Sequence, residues 1–433
     1  MREGLKQNQN HYWFSRLALP LVFMKSFDVP VVYRSPLISA VKKKRKEADK
    51  LKKDFSPTLL DFGSLKVYLA RHFGFCYGVE NAIDIAFKTI EENPGKRIFL
   101  LSEMIHNPTV NADLSAAGVK FLQDNSGKQL IPFEELTSGD CVLIPAFGTT
   151  LPIEEKLRNA GIAIENYNTT CPFVEKVWNR SEAIAKNNYT IVIHGKPSHE
   201  ETRATFSHAG ASAPTVVVRD MAEAVELSRY ILGTKNADGF HEEFKGQHTP
   251  GFNPTEDLNR IGVVNQTTML ASETQGISDF LKTILIEKYQ LTSDNLKEHF
   301  ADTRDTLCYA TNDNQSAVMG MLGQKADFAI VVGGYNSSNT SHLVELCEAI
   351  LPTFYIDGVQ KILSGKEIMH YNFQEHRQEL MRDFLPGSEP VTVLITSGAS
   401  CPDAVVEDVL RRLTEIVKGS LSIEEMVSLQ SGN

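Results

Sequence analysis

Short apolar runs alternate with amphipathic stretches along most of this chain, from about residue 66 to about residue 418. Such runs, bounded by polar or turn-forming residues, are typical of strands that are buried on both faces. They predict strands at 67–70, 98–101, 142–144, 191–193, 216–218, 261–264, 329–332, 354–356 and 391–395. Helical spacing between them predicts helices that include 80–92, 172–187, 269–289, 314–323 and 402–418. This alternation predicts an α/β fold with mainly parallel sheets.

The pattern divides the chain into three α/β blocks at 66–171, 172–305 and 306–418, because a turn with a cysteine lies at each boundary. Within the second block, residues 233–258 are polar and rich in Gly and Pro, which predicts an inserted loop. The 419–433 tail is also polar, and we expect it to be mobile.

The first 65 residues form an N-terminal extension of different character. Lysine and arginine dominate positions 42–53, and apolar residues recur near helical spacing at Leu37, Ile38, Val41, Ala48 and Leu51. This pattern predicts a charged surface helix. A solvated face explains the charge run most simply, and a docking surface for an acidic protein is the alternative.

Composition narrows the classes of partner. The chain has 433 residues, 42% of them hydrophobic and 23% charged, as in ordinary soluble globular proteins. The net charge of −10 argues against a nucleic-acid partner. No apolar stretch reaches the roughly 18 residues of a membrane span, and the 17–24 run is short and contains Pro20. We therefore expect a cytoplasmic protein.

Three of the six cysteines lie at predicted turns or helix starts: Cys76, Cys171 and Cys308. Backbone N–H groups and the positive end of the helix dipole favour a thiolate there. In a reducing compartment such cysteines more often bind metal or act in catalysis than form disulfides. Three thiolates from distant segments predict one shared metal centre. An iron–sulfur cluster on three cysteines would keep one iron free for substrate.

The other three cysteines have different settings. Cys141 lies inside an apolar strand and Cys347 inside a helix, so we expect both to be buried thiols. Cys401 lies in a Ser-Gly-Ala-Ser-Cys-Pro loop ahead of a helix and is the competitor for a ligand position.

Polar clusters follow five predicted strands, where ligands bind in open parallel sheets. They are 105–108, 193–202, 265–268, 333–340 and 396–402. The last two offer small hydroxyl and amide side chains ahead of a helix, which suits an oxyanion or a phosphate. Neither matches the P-loop lysine pattern. Taken alone, the Ser337-Ser338-Asn339 run is more often a helix N-cap; together with two histidine motifs it favours an anion pocket.

The polar clusters after the predicted strands also contain histidines and glutamates, which are candidate metal ligands and proton donors. His106 and His199 lack the i, i+4 spacing of a helical zinc site, and each is as readily a structural histidine as a metal ligand. Glu200 and Glu201, next to His199, are candidate proton donors, and a solvated acidic turn is the alternative.

The motifs GFCYGV, HNPTV, TTCPFV, HEET, NQTT, CYAT, NSSN and SGASCPD occur in this order within residues 66–415. Together they resemble the 4-hydroxy-3-methylbut-2-enyl diphosphate reductases of the non-mevalonate isoprenoid pathway. The N-terminal extension, the HEET motif and the 233–258 insertion resemble the longer branch of this family, which occurs in cyanobacteria and plastids. The resemblance implies a trefoil of three α/β domains around one [4Fe–4S] cluster held by Cys76, Cys171 and Cys308.

The resemblance also implies roles for other residues. The diphosphate would be contacted by His106, His199, Ser337, Ser338, Asn339 and Ser400. Thr267 and Glu201 would serve the substrate hydroxyl and its proton; Glu201 is chosen over Glu200 because that register also aligns Thr205. The shorter branch has a histidine where this chain has Phe147. Phenylalanine donates no hydrogen bond, so one diphosphate contact is lost or supplied by another residue.

The implied reaction is a two-electron reductive dehydroxylation that yields isopentenyl or dimethylallyl diphosphate. No G-x-G-x-x-G nucleotide fingerprint is evident. We therefore expect electrons from a small external protein such as ferredoxin or flavodoxin, with 42–53 as a docking site for an acidic carrier. Two alternatives remain. A cluster hydro-lyase like aconitase would need no electron donor, and a non-enzymatic cluster redox sensor would need no acid next to the cluster.

Overall fold

The computed structural model describes residues 27–301 and 306–431. Its helices are α1 Pro36–Ala48, α2 Tyr77–Glu92, α3 Pro108–Ala116, α4 Leu151–Asn159, α5 Pro172–Ala185, α6 Glu200–Gly210, α7 Met221–Leu232, α8 Phe240–Glu243, α9 Pro254–Asp257, α10 Ala271–Tyr289, α11 Tyr309–Leu322, α12 Ser338–Glu348, α13 Asp403–Ile416 and α14 Ile423–Ser431. Its strands are β1 Thr58–Asp61, β2 Leu65–Leu69, β3 Ile98–Leu100, β4 Lys120–Phe121, β5 Cys141–Leu143, β6 Thr190–His194, β7 Thr215–Val218, β8 Ile261–Asn265, β9 Phe300–Ala301, β10 Phe328–Val332, β11 Thr353–Ile356, β12 Glu367–Asn372, β13 Arg377–Arg382 and β14 Val391–Ser397.

Three mainly parallel sheets organise the fold. Their strand orders are β4-β3-β5, β7-β6-β8-β9 and β1-β2-β14-β10-β11. Every pair in the first two sheets is parallel, and in the third only β1 and β2 run antiparallel. All residues of β6, β8 and β10 are buried, as expected for strands covered by helices on both faces. The predicted strands and the α/β class are confirmed.

The third sheet joins the two ends of the chain. Its strand β2, which the apolar pattern assigns to the first block, pairs in parallel with β14, and Val67 lies opposite Val393. β14 in turn pairs with β10, where Ile395 lies opposite Ile330. The structure therefore differs from the predicted blocks at this strand, because an apolar run shows that a strand exists and not which strand it will pair with.

The charged helix of the extension is α1. The Ser35 hydroxyl caps its N-terminus by accepting from the Ile38 N–H at 2.9 Å. Leu37, Ile38 and Val41 are buried in the core of the third sheet, which holds the helix on the body of the protein. Leu51 does not continue the helical pattern, because it lies beyond the helix end and is 75% exposed, and Ala48 is exposed as well. The 17–24 run lies outside the described residues.

The described part of the C-terminal tail, up to Ser431, is helical and packed, contrary to expectation. Residues from Ile423 form α14, and Ile423 and Met426 are buried in the core of the third sheet. Side chains three apart share one face of a helix, and this short apolar face holds the tail against α1.

The 233–258 segment also differs from the predicted loop. It contains α8 and α9, and Phe240, Phe244 and Phe252 are buried. The rings of Phe240 and Phe252 stack with centroids 5.0 Å apart. These few aromatic residues anchor a segment that is polar by composition. None of the described helices combines the length and the apolar character needed to cross a membrane.

Candidate active site

One cavity brings together the residues that the sequence proposes for the chemistry. Every side chain that the sequence proposes for the site lines it: Cys76, Cys171, Cys308, His106, His199, Glu201, Thr267, Ser337, Ser338, Asn339 and Ser400. The cavity lies among segments from all three sheets, because each of these residues follows a strand or opens a helix.

Five helices direct their N-termini at this cavity. The residues at their N-cap positions all line it: Cys76 for α2, Cys171 for α5, His199 for α6, Cys308 for α11 and Ser337 for α12. Each N-terminus presents N–H groups that have no acceptor within the helix itself, together with the positive end of the helix dipole. The cavity is therefore suited to anions, both thiolates and oxyanions.

The three cysteines occupy matched positions. The Cys76 sulfur accepts hydrogen bonds from the backbone N–H groups of Gly78 and Val79. The Cys308 sulfur accepts from the backbone N–H groups of Ala310 and Thr311. Cys171 accepts from the Phe173 N–H. Such hydrogen bonds stabilise a thiolate, so the helix-start setting predicted from the sequence is confirmed.

Burial nevertheless has the largest effect on the pKa values of these thiols. It raises the pKa of Cys76, Cys171 and Cys308, that of Cys308 to about 12. The negative charge on Cys76 raises the pKa of the other two further, which means that the sulfurs are near enough to repel one another. A cationic metal centre would offset both effects. Three sulfurs on one cavity, each with backbone donors, fit the donor set of an iron–sulfur cluster.

The remaining cysteines lie away from the cavity. Cys141 and Cys347 are buried in β5 and α12, as predicted. Cys401 is fully buried, does not line the cavity, and contacts the Pro402 carbonyl oxygen at 3.6 Å. Cys401 is therefore not positioned to compete as a ligand.

Glu201 and Thr267 form a buried pair. The Thr267 hydroxyl donates to Glu201 Oε2 at 3.0 Å, and the Thr267 backbone N–H donates to Oε1. Burial raises the pKa of Glu201 to about 7, although both hydrogen bonds act in the opposite direction. A carboxyl with this pKa holds a proton near neutral pH and can release it, as a general acid must.

Glu200 faces a different neighbour. Its Oε2 lies 3.6 Å from His106 Nε2, and its Oε1 has no hydrogen-bond partner among the described residues. Burial raises its pKa as well. Glu200 does not line the cavity. Of the two adjacent carboxyls, the structure brings Glu201 to Thr267, which agrees with the predicted register.

The two histidines lie edge to face. His199 Nδ1 accepts the Glu201 N–H at 3.1 Å, so in the neutral ring the proton is on Nε2, which lies 3.2 Å from His106 Nε2. Burial, then His106, lowers the pKa of His199 well below its ordinary value. The ligand atoms of His106, His199 and Glu200 all lie within 4.8 Å of one another, a separation that would also suit a metal ion.

Phe147 stacks on His106. Their ring centroids are 4.2 Å apart at an interplanar angle of 20°, and Phe147 meets His199 edge-on at 5.6 Å. Phe147 thus orients both imidazoles by packing, while it supplies no hydrogen bond. The sequence shows the departure at this position but not the stack.

The serine and asparagine group lies at the start of α12 and in the loop after β14. Ser337 is the N-cap, and its hydroxyl accepts from the Thr340 N–H at 3.2 Å, so the N-cap interpretation is correct. The Asn339 side-chain oxygen accepts from the Ala399 N–H at 2.9 Å, whereas its Nδ2 is buried without a partner among the described residues. An unpaired buried donor that lines a cavity suits an anionic ligand.

Residues that the sequence did not single out complete the site. The Thr311 hydroxyl donates to the Thr267 carbonyl oxygen at 2.9 Å, which ties the α11 N-terminus to the loop with Thr267. Gly78 lies directly against Cys171: a Cβ on Gly78 would be 2.5 Å from the Cys171 sulfur. Both residues lie in the CYGV and CYAT motifs, so a signal was present, but their contacts depend on the tertiary fold.

The chain has close relatives. Residues 67–414 match the sequence model of the LytB protein family. The 4-hydroxy-3-methylbut-2-enyl diphosphate reductase of Synechococcus sp. (strain RCC307) is 40% identical over 364 residues, 84% of this chain and 87% of the relative. The reductase of the same name from Crocosphaera subtropica (strain ATCC 51142 / BH68) is 41% identical over 354 residues, 82% of this chain and 85% of the relative.

A solved structure shares the fold. The E-1-hydroxy-2-methyl-but-2-enyl-4-diphosphate reductase of Plasmodium falciparum superposes with a TM-score of 0.56 at 22% identity, over 80% of this chain and 87% of that one. The predicted trefoil of three α/β units around a central site is thereby confirmed. With the match over residues 67–414 and the two cyanobacterial relatives, the resemblance found in the motifs is confirmed: the chain belongs to the LytB protein family.

Proposed function

We propose that this protein is an iron–sulfur oxidoreductase that reductively dehydroxylates (E)-4-hydroxy-3-methylbut-2-enyl diphosphate. The products are isopentenyl diphosphate and dimethylallyl diphosphate, and the reaction is the last step of the non-mevalonate isoprenoid pathway. The names of its relatives support this function. The observation that carries it is one cavity lined by three helix-capping cysteines and by the buried Glu201–Thr267 pair.

Cys76, Cys171 and Cys308 are the proposed ligands of one [4Fe–4S] cluster. When bound, the cluster supplies electrons one at a time and an open iron that acts as a Lewis acid on the substrate hydroxyl. The shared cavity and the backbone N–H donors to the three sulfurs support the proposal.

Glu201 is the proposed proton source. The substrate hydroxyl leaves as water only after it gains a proton, and the Glu201 carboxyl holds one near pH 7. We propose that the Thr267 hydroxyl, which donates to Glu201 Oε2, orients the substrate oxygen and relays that proton.

The diphosphate is proposed to bind on His106, His199, Ser337, Ser338, Asn339 and Ser400, all of which line the cavity. The Asn339 Nδ2 donor and the N-terminus of α12 support this assignment. Phe147 contributes by holding the two imidazoles in place. We further propose that electrons come from ferredoxin or flavodoxin, and that the enzyme acts in the bacterial cytosol or the plastid stroma.

Anaerobic purification with iron and sulfide analysis, followed by turnover with and without a reductant, tests the function. We expect reduced protein to convert the substrate and oxidised protein to leave it unchanged. Turnover without a reductant would indicate a hydro-lyase, and a bound cluster without turnover would indicate a redox sensor.

We predict that turnover falls as pH rises above about 7. The acid form of Glu201 is the active one, and above its pKa of about 7 that form decreases about tenfold per pH unit. The measurement is kcat against pH with reduced methyl viologen, whose potential does not depend on pH. The alkaline limb should be absent from Glu201→Gln; a variant that keeps the limb would assign it to another group.

We predict that Gly78→Ala prevents cluster assembly without unfolding the protein. The new methyl group would sit 2.5 Å from the Cys171 sulfur, which must then move by about 1 Å. Metal sites tolerate much smaller errors in ligand position. The measurement is iron per chain after anaerobic reconstitution, alongside circular dichroism. Gly387→Ala, where a Cβ meets nothing within 4 Å, is the control. Full iron content in Gly78→Ala would contradict the proposed contact between Gly78 and a ligand.

A further inference from the structure

A second cleft reaches the cysteines from the side of α1. It has a volume of about 750 Å³, and Cys76 and Ala310 line both this cleft and the central cavity. It is also lined by four basic residues: Lys42, Lys46, Lys52 and Arg71. Cys76 therefore stands between two openings, one that holds the proposed substrate site and one that faces the basic N-terminal segment.

The outer cleft is positively charged in an otherwise acidic chain. Positions 42–53 hold eight Lys or Arg and two acidic residues, against a net charge of −10 for the whole chain. Lys42 pairs with Asp403 at 2.7 Å, and Arg71 Nη2 lies 4.0 Å from Asp49. Lys46 and Lys52 are exposed, and no described residue forms a salt bridge with either. These two ammonium groups are free to meet an acidic partner.

The charges act on neighbouring groups in the same cleft. Burial, then Arg71 and Lys52, lowers the pKa of His72 to about 4, so this imidazole is neutral beside them. Asp313 is the acidic residue lining the cleft, and burial raises its pKa. Arg71 is buried and lines the same cleft, so one positive charge lies further from the solvent than the two exposed lysines.

An aromatic residue lies within two positions after each cysteine and is partly exposed: Tyr77, Phe173 and Tyr309. The Phe173 and Tyr309 rings are 5.0 Å apart, and the Tyr77 N–H donates to the Tyr309 hydroxyl at 3.3 Å. An aromatic centre with a basic rim is a frequent composition of protein–protein interfaces.

We propose that this cleft, with its aromatic patch, is the docking site of a small acidic protein that carries one electron. The proposal rests on the proposed function, since only a reductive reaction needs such a partner. Each turnover would oxidise two carrier molecules by one electron each, consume two protons, break the substrate C–O bond, form a C–H bond and release one water. Electrons reach the cysteines from the α1 side, and the substrate cavity stays closed to the carrier.

Charge reversal at the two free lysines tests the docking site. The cleft variant is Lys46→Glu/Lys52→Glu, and the matched control is Lys44→Glu/Lys50→Glu, which changes the same charge on exposed residues that do not line the cleft. Turnover is measured with a reduced acidic [2Fe–2S] ferredoxin and, separately, with reduced methyl viologen. We expect the KM for ferredoxin to rise by about tenfold or more at low salt in the cleft variant, with a weaker salt dependence. The control should change far less.

The viologen assay separates a failure of the docking site from a failure of the proposed function. Unchanged viologen turnover with a raised ferredoxin KM supports the docking site. An unchanged ferredoxin KM, an equal effect in the control, or a loss of viologen turnover in the cleft variant would overturn it. If the wild-type protein, with its cluster bound, fails with both donors, the proposed function itself is wrong.

Discussion

Glu201→Gln is expected to lower turnover by about 10²–10⁴-fold, the usual contribution of a positioned general acid. The variant should fold and bind substrate, because Gln keeps the shape of a side chain that is 2% exposed. Its amide oxygen can still accept the Thr267 N–H, and the Thr267 hydroxyl can turn to accept from the new NH₂ group. What the variant lacks is the transferable proton. Single-turnover kinetics with reduced protein, together with iron content and substrate affinity, measure this.

Glu200→Gln is the matched control for this experiment. Glu200 precedes Glu201 in the same helix and is also buried, but it faces His106 and does not line the cavity. We expect a much milder loss of turnover, by less than about tenfold. An inactive Glu200→Gln together with an active Glu201→Gln would mean that the register is off by one residue. Two active variants would assign the proton to another group.

Serine at Cys76, Cys171 or Cys308 should abolish the brown colour and all turnover. Each sulfur lies at a helix N-terminus on the same cavity, and a serine hydroxyl is a much weaker ligand of an iron–sulfur cluster than a thiolate. The measurement is the visible absorbance and the iron and sulfide content after anaerobic reconstitution.

Serine at Cys141, Cys347 or Cys401 provides the comparison. These thiols are buried in the cores of the sheets, so the substitutions cost stability but should leave the colour and the iron content intact. A cluster that is lost with Cys401→Ser, in a folded protein, and kept with Cys308→Ser would refute the ligand set.

Sequence patterns predicted what local chemistry determines. Buried strands such as β6 and β10 are apolar runs, and the cysteine turns gave helix N-termini in the structure. The site residues came together because ligand-binding side chains follow strands at one edge of parallel sheets. These features depend on a few neighbouring residues, which one sequence displays directly.

Other features depend on contacts that one sequence does not display. β12 and β13 form an antiparallel hairpin, but their charged residues hide the alternation of a strand. The tail helix depends on Ile423 and Met426 finding a surface on α1, and the stack of Phe147 on His106 joins two separate segments. Which surfaces pack together depends on the tertiary fold. Composition alone therefore predicted a loop at 233–258 and a mobile tail, where the structure has helices with buried side chains.

The pairing of β2 with β14 sets the order of events during synthesis. The Cys76 N–H donates to the Ala399 carbonyl oxygen at 3.1 Å, and Ala399 follows β14 near the end of the chain. A nascent chain leaves the ribosome from its N-terminus, and domains generally fold as units. The turn at Cys76 can therefore form its hydrogen bond to Ala399 only after almost the whole polypeptide has been synthesised. The proposed cluster would then be completed only after β14 has been made, and a chain that stops before β14 would lack the contact that fixes Cys76.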